Sequence, residues 1–175
     1  AGATIDISGE KAFGIYTEQA NATNNGIIKI TGSKNDAIGL RAKKLGTAQQ
    51  TLANNADINI LSTGSRNMGL YTDSAIISNT GKINITAGEN IGMYVAGTGT
   101  GTNTNTGKVT VTSDGSIGLM TTGTATLTNN GELKVTGGNK EITTVTPPKT
   151  IGTIGMTAGV GSTIDNTSGK ATIDV

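Results

Sequence analysis

Residues 82–94 read KINITAGENIGMY, and this stretch sets the pattern of the whole chain. It contains an apolar pair at Ile83 and Ile85, a polar turn, and an apolar–Gly–apolar triplet centred on Gly92. An Asn follows, shortly before a Gly. The phrase recurs along the chain at intervals of roughly 23 to 30 residues, apart from one longer repeat, and such a period is typical of a solenoid.

The repeat has three parts: an apolar pair, an apolar–Gly–apolar triplet and an Asn. The pairs are Ile5/Ile7, Ile28/Ile30, Ile58/Ile60, Ile83/Ile85, Val109/Val111 and Leu133/Val135, and a seventh opens at Ile173/Val175. The triplets are Phe13-Gly14-Ile15, Ile38-Gly39-Leu40, Met68-Gly69-Leu70, Ile91-Gly92-Met93, Ile117-Gly118-Leu119 and Ile154-Gly155-Met156. The Asn residues are Asn24, Asn54, Asn79, Asn105, Asn129 and Asn166.

Apolar and polar residues alternate within each pair and each triplet, and this period of two predicts β-strands. A third short strand precedes each Asn. Strands of one repeat cannot pair with one another in parallel, so each pairs with its copy in the next repeat, ~4.8 Å along an axis. The sequence therefore predicts an all-β parallel β-helix of about six coils, with three short strands per coil and a length of ~29 Å.

Composition fits a narrow interior and excludes several functions. The 175 residues include 27 Gly, one Phe and three Tyr, but no Trp, Cys or His. Without His or Cys, Ser–His or Cys–His nucleophilic catalysis is impossible. A formal net charge of +1 without a basic cluster argues against nucleic-acid binding. The apolar runs are too short to span a bilayer as a helix.

We expect the apolar pairs and triplets to point inward in every coil. In the third strand the inward residue lies two positions before the Asn, and in coil four we assign that position to Asn103. We expect the Asn side chains to stack along the axis, with Asn79 and Asn105 bonded on successive coils. The Gly or Ala two or three residues after each Asn is expected at a corner that needs a positive φ. These residues are Gly26, Ala56, Gly81, Gly107, Gly131 and Gly169.

The outward position of the second strand is the first candidate binding surface. It holds Tyr16, Arg41, Tyr71 and Tyr94 in successive coils, followed by Met120. Such a row would present flat rings to a sugar or a partner protein. The alternative is a surface ladder whose stacked rings only cover the strand.

Two coils are longer than the others, and their insertions form the second candidate. One lies near residues 43–51 and the other spans residues 137–150, where it includes Pro147 and Pro148. Insertions in a solenoid become loops on one face, and such loops often bind a partner. The alternative is a tolerated surface bulge.

Acidic residues recur in the first turn, at Glu10, Asp36, Glu89 and Asp114. Two carboxylates on adjacent coils would reach the ~5 to 9.5 Å separation that glycoside hydrolysis uses. However, cations are interleaved with them, and no aromatic wall separates their pKa values. We interpret these residues as solvated turns, and we predict no catalytic, cofactor or metal site.

Repeats such as residues 82–94, followed by strands that end in Asn129-Asn130-Gly131, resemble the passenger of type V autotransporters, in particular the very large surface adhesins of fusobacteria and their relatives. The resemblance covers the whole chain and implies a right-handed β-helix exported to the surface of a Gram-negative cell. It also implies an outer-membrane β-barrel outside this segment, and adhesion to a protein or glycan of another bacterium or a host cell.

The first and last strands occupy the same phase of the repeat and neither is capped, which favours one β-helix segment, residues 1–175, excised from a longer array and flanked by further coils of the same polypeptide. The leading interpretation is therefore a structural and adhesive rod segment. The alternative is a β-helical polysaccharide-degrading enzyme or a glycan binder of the tailspike kind.

Overall fold

A computed structural model describes residues 2–142 and 149–174, and within them every regular element is a β-strand. The first twelve strands are β1 (Thr4–Ile7), β2 (Phe13–Thr17), β3 (Ala22–Asn24), β4 (Ile27–Ile30), β5 (Ile38–Lys43), β6 (Thr51–Asn54), β7 (Asp57–Ile60), β8 (Ser65–Asp73), β9 (Ile76–Asn79), β10 (Lys82–Ile85), β11 (Glu89–Ala96) and β12 (Thr100–Asn103). The others are β13 (Lys108–Val111), β14 (Ile117–Thr121), β15 (Thr126–Asn129), β16 (Glu132–Val135), β17 (Lys140–Ile142), β18 (Lys149–Ile151), β19 (Ile154–Ala158), β20 (Thr163–Asp165) and β21 (Lys170–Ile173).

The strands form three parallel sheets in which each strand pairs with its copy one coil away. The first sheet has seven strands in the order β1-β4-β7-β10-β13-β16-β21. The second has six, β2-β5-β8-β11-β14-β19, and the third has six, β3-β6-β9-β12-β15-β20. The predicted parallel β-solenoid with three strands per coil is therefore confirmed.

The apolar pairs supply the first sheet's share of the core, as predicted. Their register is direct: Ile83 lies opposite Ile58 on one side and Val109 on the other. The pairs from Ile28/Ile30 to Leu133/Val135 are buried, whereas at the first coil Ile7 is buried and Ile5 only half-buried. Inward residues of the third strand complete the core, since Leu52, Ile77 and Leu127 have no exposed surface.

The triplets do not point inward as a whole, and here the prediction is wrong. The third residue is inward, as at Leu40 and Leu70. The first residue is half-buried or exposed in five of the six triplets, with Phe13 and Ile154 at 40% and 39% exposed, whereas Ile38 is buried. The central Gly also faces the core, because a Cβ at Gly69 would meet the Cγ2 of Ile83 and the carbonyl oxygen of Gly92. Two successive inward residues interrupt the alternation of the strand, so the residue before the Gly faces outward in most coils.

The Asn side chains form a buried ladder along the axis, but its fourth member is Asn103 and not Asn105. Each Asn donates its side-chain N–H to the Oδ1 of the Asn in the next coil over 2.6–2.9 Å, through Asn24, Asn54, Asn79, Asn103, Asn129 and Asn166. Asn105 is exposed in the turn that follows. The inward position that we assigned to Asn103 belongs to Gly101, which lies in register between Ile77 and Leu127.

The predicted positive φ after the Asn column is also wrong. None of the residues at that corner lies in the left-handed region. Glycine is favoured at five of the six corners for another reason, because the backbone there lies close to the preceding coil; Ala56 occupies the remaining corner. A Cβ at Gly81 would overlap the backbone of Ala56, and one at Gly131 would overlap the carbonyl oxygen of Gly107.

The two insertions lie at different corners. Residues 44–50 connect β5 to β6 without a strand. In the second insertion, β17 and β18 pair antiparallel, with Lys140 opposite Ile151. Pro147 and Pro148 lie outside the described residues.

Candidate functional site

The predicted outward row on the second sheet is present. Tyr16, Arg41, Tyr71 and Tyr94 are in direct register on β2, β5, β8 and β11. Met120 continues the row on β14, followed by Thr157 on β19. Each residue of the row lies two positions after the central Gly of its triplet. The residue directly before it in the strand points inward, so the row residue itself points outward.

Arg41 lies in the middle of a cluster of rings. Its guanidinium carbon is 4.9 Å from the ring centre of Phe13, 5.2 Å from that of Tyr16 and 5.6 Å from that of Tyr71. These distances are typical of cation–π contacts. We call Phe13, Tyr16, Arg41, Tyr71 and Tyr94 the aromatic–arginine face.

No acceptor satisfies Arg41 among the described residues. Its Nε is buried without a hydrogen-bond partner, and the three salt bridges involve other cations. A guanidinium carries five N–H donors and accepts nothing. The π faces of the rings therefore hold this cation in place while its donors remain unused.

The rings of Tyr71 and Tyr94 stack on each other, with centres 5.1 Å apart and planes tilted by 42°. The Tyr94 hydroxyl is 2.9 Å from the hydroxyl of Thr122. Burial, and after it the charge of Asp73, raises the pKa of Tyr71. These two rings are half-buried, and each covers part of the other.

Flat aromatic surface is available at the other end of the row. Phe13 and Tyr16 are 40% and 41% exposed, and their ring centres lie 5.4 Å apart. The first residues of the triplets run alongside as a second, apolar row. Its members are Phe13, Ile38, Met68, Ile91, Ile117 and Ile154.

A charged row borders the aromatic–arginine face on its other side. Lys43 lies two residues after Arg41 on β5 and is in register with Asp73 on β8. Glu18 follows β2 directly and accepts a hydrogen bond from the Tyr16 hydroxyl. The two acids exceed Lys43 by one formal charge, so this row and Arg41 together carry a formal charge near zero. No salt bridge among the described residues pairs Arg41 with either acid.

Two of the four first-turn acids, Asp36 and Glu89, are paired with cations among the described residues. Arg66 binds both oxygens of Asp36, at 2.8 and 2.9 Å, and Lys140 lies 2.6 Å from Glu89. The hydrogen bond from Arg66 lowers the pKa of Asp36. Asp114 accepts a hydrogen bond from the backbone N–H of Gly138 at 2.6 Å.

A groove of about 370 Å³ beside this turn offers a single acid. It is lined by Thr86, Ala87, Gly88, Thr112, Ser113, Asp114 and Lys140. Hydrolysis by two opposed carboxylates needs a second one. Among the described residues, no group of three or more acidic side chains is placed to hold a metal ion.

The sequence reasoning missed a second buried polar column in the same turn. Asn67, Asn90 and Ser116 are fully buried. The backbone N–H of Asn67 donates to Asn90 Oδ1 at 2.9 Å, and the backbone N–H of Asn90 donates to Ser116 Oγ at 2.9 Å. The signal was a small polar residue directly before four of the six triplets, at Asn67, Asn90, Ser116 and Thr153.

Comparison with protein-family models, curated protein sequences and solved structures finds no match to this chain. The described residues contain no helix of the length and apolarity that a membrane crossing requires.

Proposed function

We propose that this chain is a structural and adhesive rod segment from the passenger of a secreted bacterial autotransporter, which holds a binding surface away from a Gram-negative cell. Flanking coils of the same polypeptide and an outer-membrane barrel outside this segment belong to the same proposal. Its sequence basis is the repeat style of residues 82–94. The partner is a protein or glycan on the surface of a host cell or another bacterium.

The observation that carries the proposal is the contrast between the outer faces of the three sheets. The first sheet presents Lys and Asn side chains such as Lys82 and Asn84, and the third presents hydroxyls such as Thr126 and Thr128. The second presents rings, Met and Ile around an unpaired guanidinium. A contiguous exposed apolar surface of this kind is typical of an interaction site.

The same arrangement supports a binding role over catalysis. A β-helical polysaccharide-degrading enzyme needs unpaired carboxylates facing one bond. Here Asp36, Glu89 and Glu132 each contact a cation within hydrogen-bond distance. Among the described residues, the acid that contacts the aromatic–arginine face is Glu18. Its carboxylate accepts a hydrogen bond from the Tyr16 hydroxyl. We therefore propose that the chain is not an enzyme.

Attachment of cells to the purified chain tests this proposal. Beads coated with the whole chain are expected to capture epithelial cells or bacteria, and beads coated with a Tyr16→Ser, Tyr71→Ser, Tyr94→Ser variant are expected to capture few. The matched control is Ser78→Ala, Thr102→Ala, Thr128→Ala on the outer face of the third sheet, which should capture as many cells as the unmodified chain. Equal capture by all three, or none by any, contradicts an adhesive role for this face.

A further inference from the structure

The unused donors of Arg41 indicate what kind of ligand the aromatic–arginine face accepts, an inference that rests on the proposed adhesive function. We propose that this face binds a sugar that carries a carboxylate group. Arg41 holds the carboxylate through its outer N–H groups, and the exposed rings of Tyr16 and Phe13 pack against the C–H face of the sugar.

A carboxylate is proposed because the Arg41 guanidinium is held by rings and has no acceptor among the described residues. A planar guanidinium fixed by three rings is preorganised for two parallel hydrogen bonds to a planar anion. It makes no salt bridge among the described residues, so no internal acid must be displaced first. Preorganisation of this kind lowers the entropy lost on binding.

The charged row limits the ligand to a small net charge. Glu18 and Asp73 lie beside the positions of Tyr16 and Tyr71, on the side of Lys43. A polyanion such as a nucleic acid gains affinity from many cations at once. Against one unpaired arginine and two nearby acids, a single carboxylate is favoured over a polyphosphate or a polysulfate.

Two features favour a sugar over a peptide as the ligand: the exposed rings and the position of Arg41 in the sheet. An acidic peptide that binds by strand addition needs a free sheet edge. Arg41 is on β5, which is paired on both sides, with β2 and with β8. The negative face of an aromatic ring instead attracts the C–H groups of a sugar ring lying flat on it. The rings of Phe13 and Tyr16 are 40% and 41% exposed, and the surface that Arg41 leaves uncovered is available to such a sugar.

A pair of sugars that differ in one group tests the inference. Methyl glucuronide and methyl glucoside share their ring and differ in the carboxylate. We expect the whole chain to show saturable NMR shifts with the glucuronide, confined to the second sheet's outer face. The affinity for the glucoside should be lower by about tenfold or more, because one charge-assisted pair is lost.

The chain contains two arginines, and they provide a matched pair of variants. Arg41→Gln should abolish glucuronide binding. Arg66→Gln should leave it unchanged, since Arg66 is paired with Asp36 at the start of β8 and contacts none of the rings that hold Arg41 among the described residues. Arg41→Lys keeps the charge without the planar fork and should bind more weakly than the unmodified chain. A thermal melt of each variant checks that it is folded, and Tyr16→Ser replaces Arg41→Gln if the latter does not fold.

Several results would overturn the inference: equal affinity for both sugars, glucuronide binding that survives Arg41→Gln, or tighter binding of tetraglutamate than of glucuronide. Captured cells without glucuronide binding would refute the sugar and leave the adhesive proposal standing. Glucuronide binding without cell capture would refute the adhesive proposal and leave the sugar-binding site standing.

Discussion

The asparagine ladder inside the solenoid and the aromatic–arginine face outside it arise from the same stacking of coils, but their side chains end in opposite states. In the ladder, Asn79 accepts from Asn54 and donates to Asn103, so each amide is used by its neighbours. In the outer row, Arg41 is surrounded by rings and its donors have no acceptor among the described residues.

The difference separates a column that satisfies its own hydrogen bonds from the row that we propose binds a ligand. A column in which every coil carries the same residue has its polar groups paired, and a change in it should cost stability. A row with different residues at each level leaves surface and donors unused, and under our proposal a change in it should cost binding first.

The largest effect is expected for Ile85→Asp. Ile85 is fully buried, and a carboxylate there has no partner, so we expect a loss of several kcal/mol or no folded chain at all. Chemical denaturation followed by circular dichroism measures it. Thr110→Asp, on the outer face of the neighbouring strand, is the control and should stay close to the unmodified chain. An Ile85→Asp variant that melts normally would contradict the inward register.

The next effect compares two asparagines of the same turn. Asn103→Ala leaves the amide of Asn79 without its acceptor and Asn129 without its donor, and should cost ~1 to 3 kcal/mol. Asn105→Ala removes an exposed side chain and should change the unfolding free energy by less than ~0.5 kcal/mol. The reverse order would restore our first assignment of the ladder.

That assignment failed for a reason visible in the residues. In most coils the Asn stands two residues before the corner Gly or Ala, and this spacing selects Asn105 before Gly107. The turn of coil four is longer, and Gly101 hides the inward position because it has no side chain. The alternation of Thr100 and Thr102 around Gly101 matches that of Thr126 and Thr128 around Leu127, and it was the better guide.

The coil itself was predictable, because a period of two in short segments repeated along the chain leaves few other folds. The outward turn of the first triplet residues was not. Hydropathy alone assigns an apolar residue such as Met68 or Ile91 to the core. Only the structure shows that Gly69 faces the core, close to Gly92, and that Met68 before it therefore faces outward. The outward row was predictable from alternation, but the pairing of ring faces within it depends on side-chain conformations that the sequence does not state.

Removal of two rings from the outer row should affect stability less than the ladder does. Tyr71→Ala with Tyr94→Ala loses one stacked pair, the contact of Arg41 with the Tyr71 ring and one hydroxyl contact, for a combined cost of about 1 to 2 kcal/mol. We expect cell capture to fall sharply in the same variant. Thr102→Ala with Thr128→Ala, on the third sheet, should change neither. A large loss of stability with unchanged capture would make the row a structural ladder.

The smallest effect concerns pH at the first turn. The hydrogen bonds from Arg66 lower the pKa of Asp36, against a small opposing effect of burial. A carboxylate with a lowered pKa in the folded chain stabilises it above the ordinary Asp pKa of ~3.9, and this contribution is lost as the pH falls through the lower folded pKa. The side chain of Arg66 is largely exposed, so solvent and salt screen the pair.

Asp36→Asn isolates this contribution, because Asn tolerates the positive φ of 60° found at this position. The melting temperature of the unmodified chain should fall slightly more than that of the variant between about pH 7 and about pH 3. At high salt the two curves should converge, since the screened pair contributes little. Identical acid dependence of both chains at low salt would show that the pair contributes no stability. The other exposed acids titrate in both chains and cancel in the comparison, which leaves Asp36 as the group that differs.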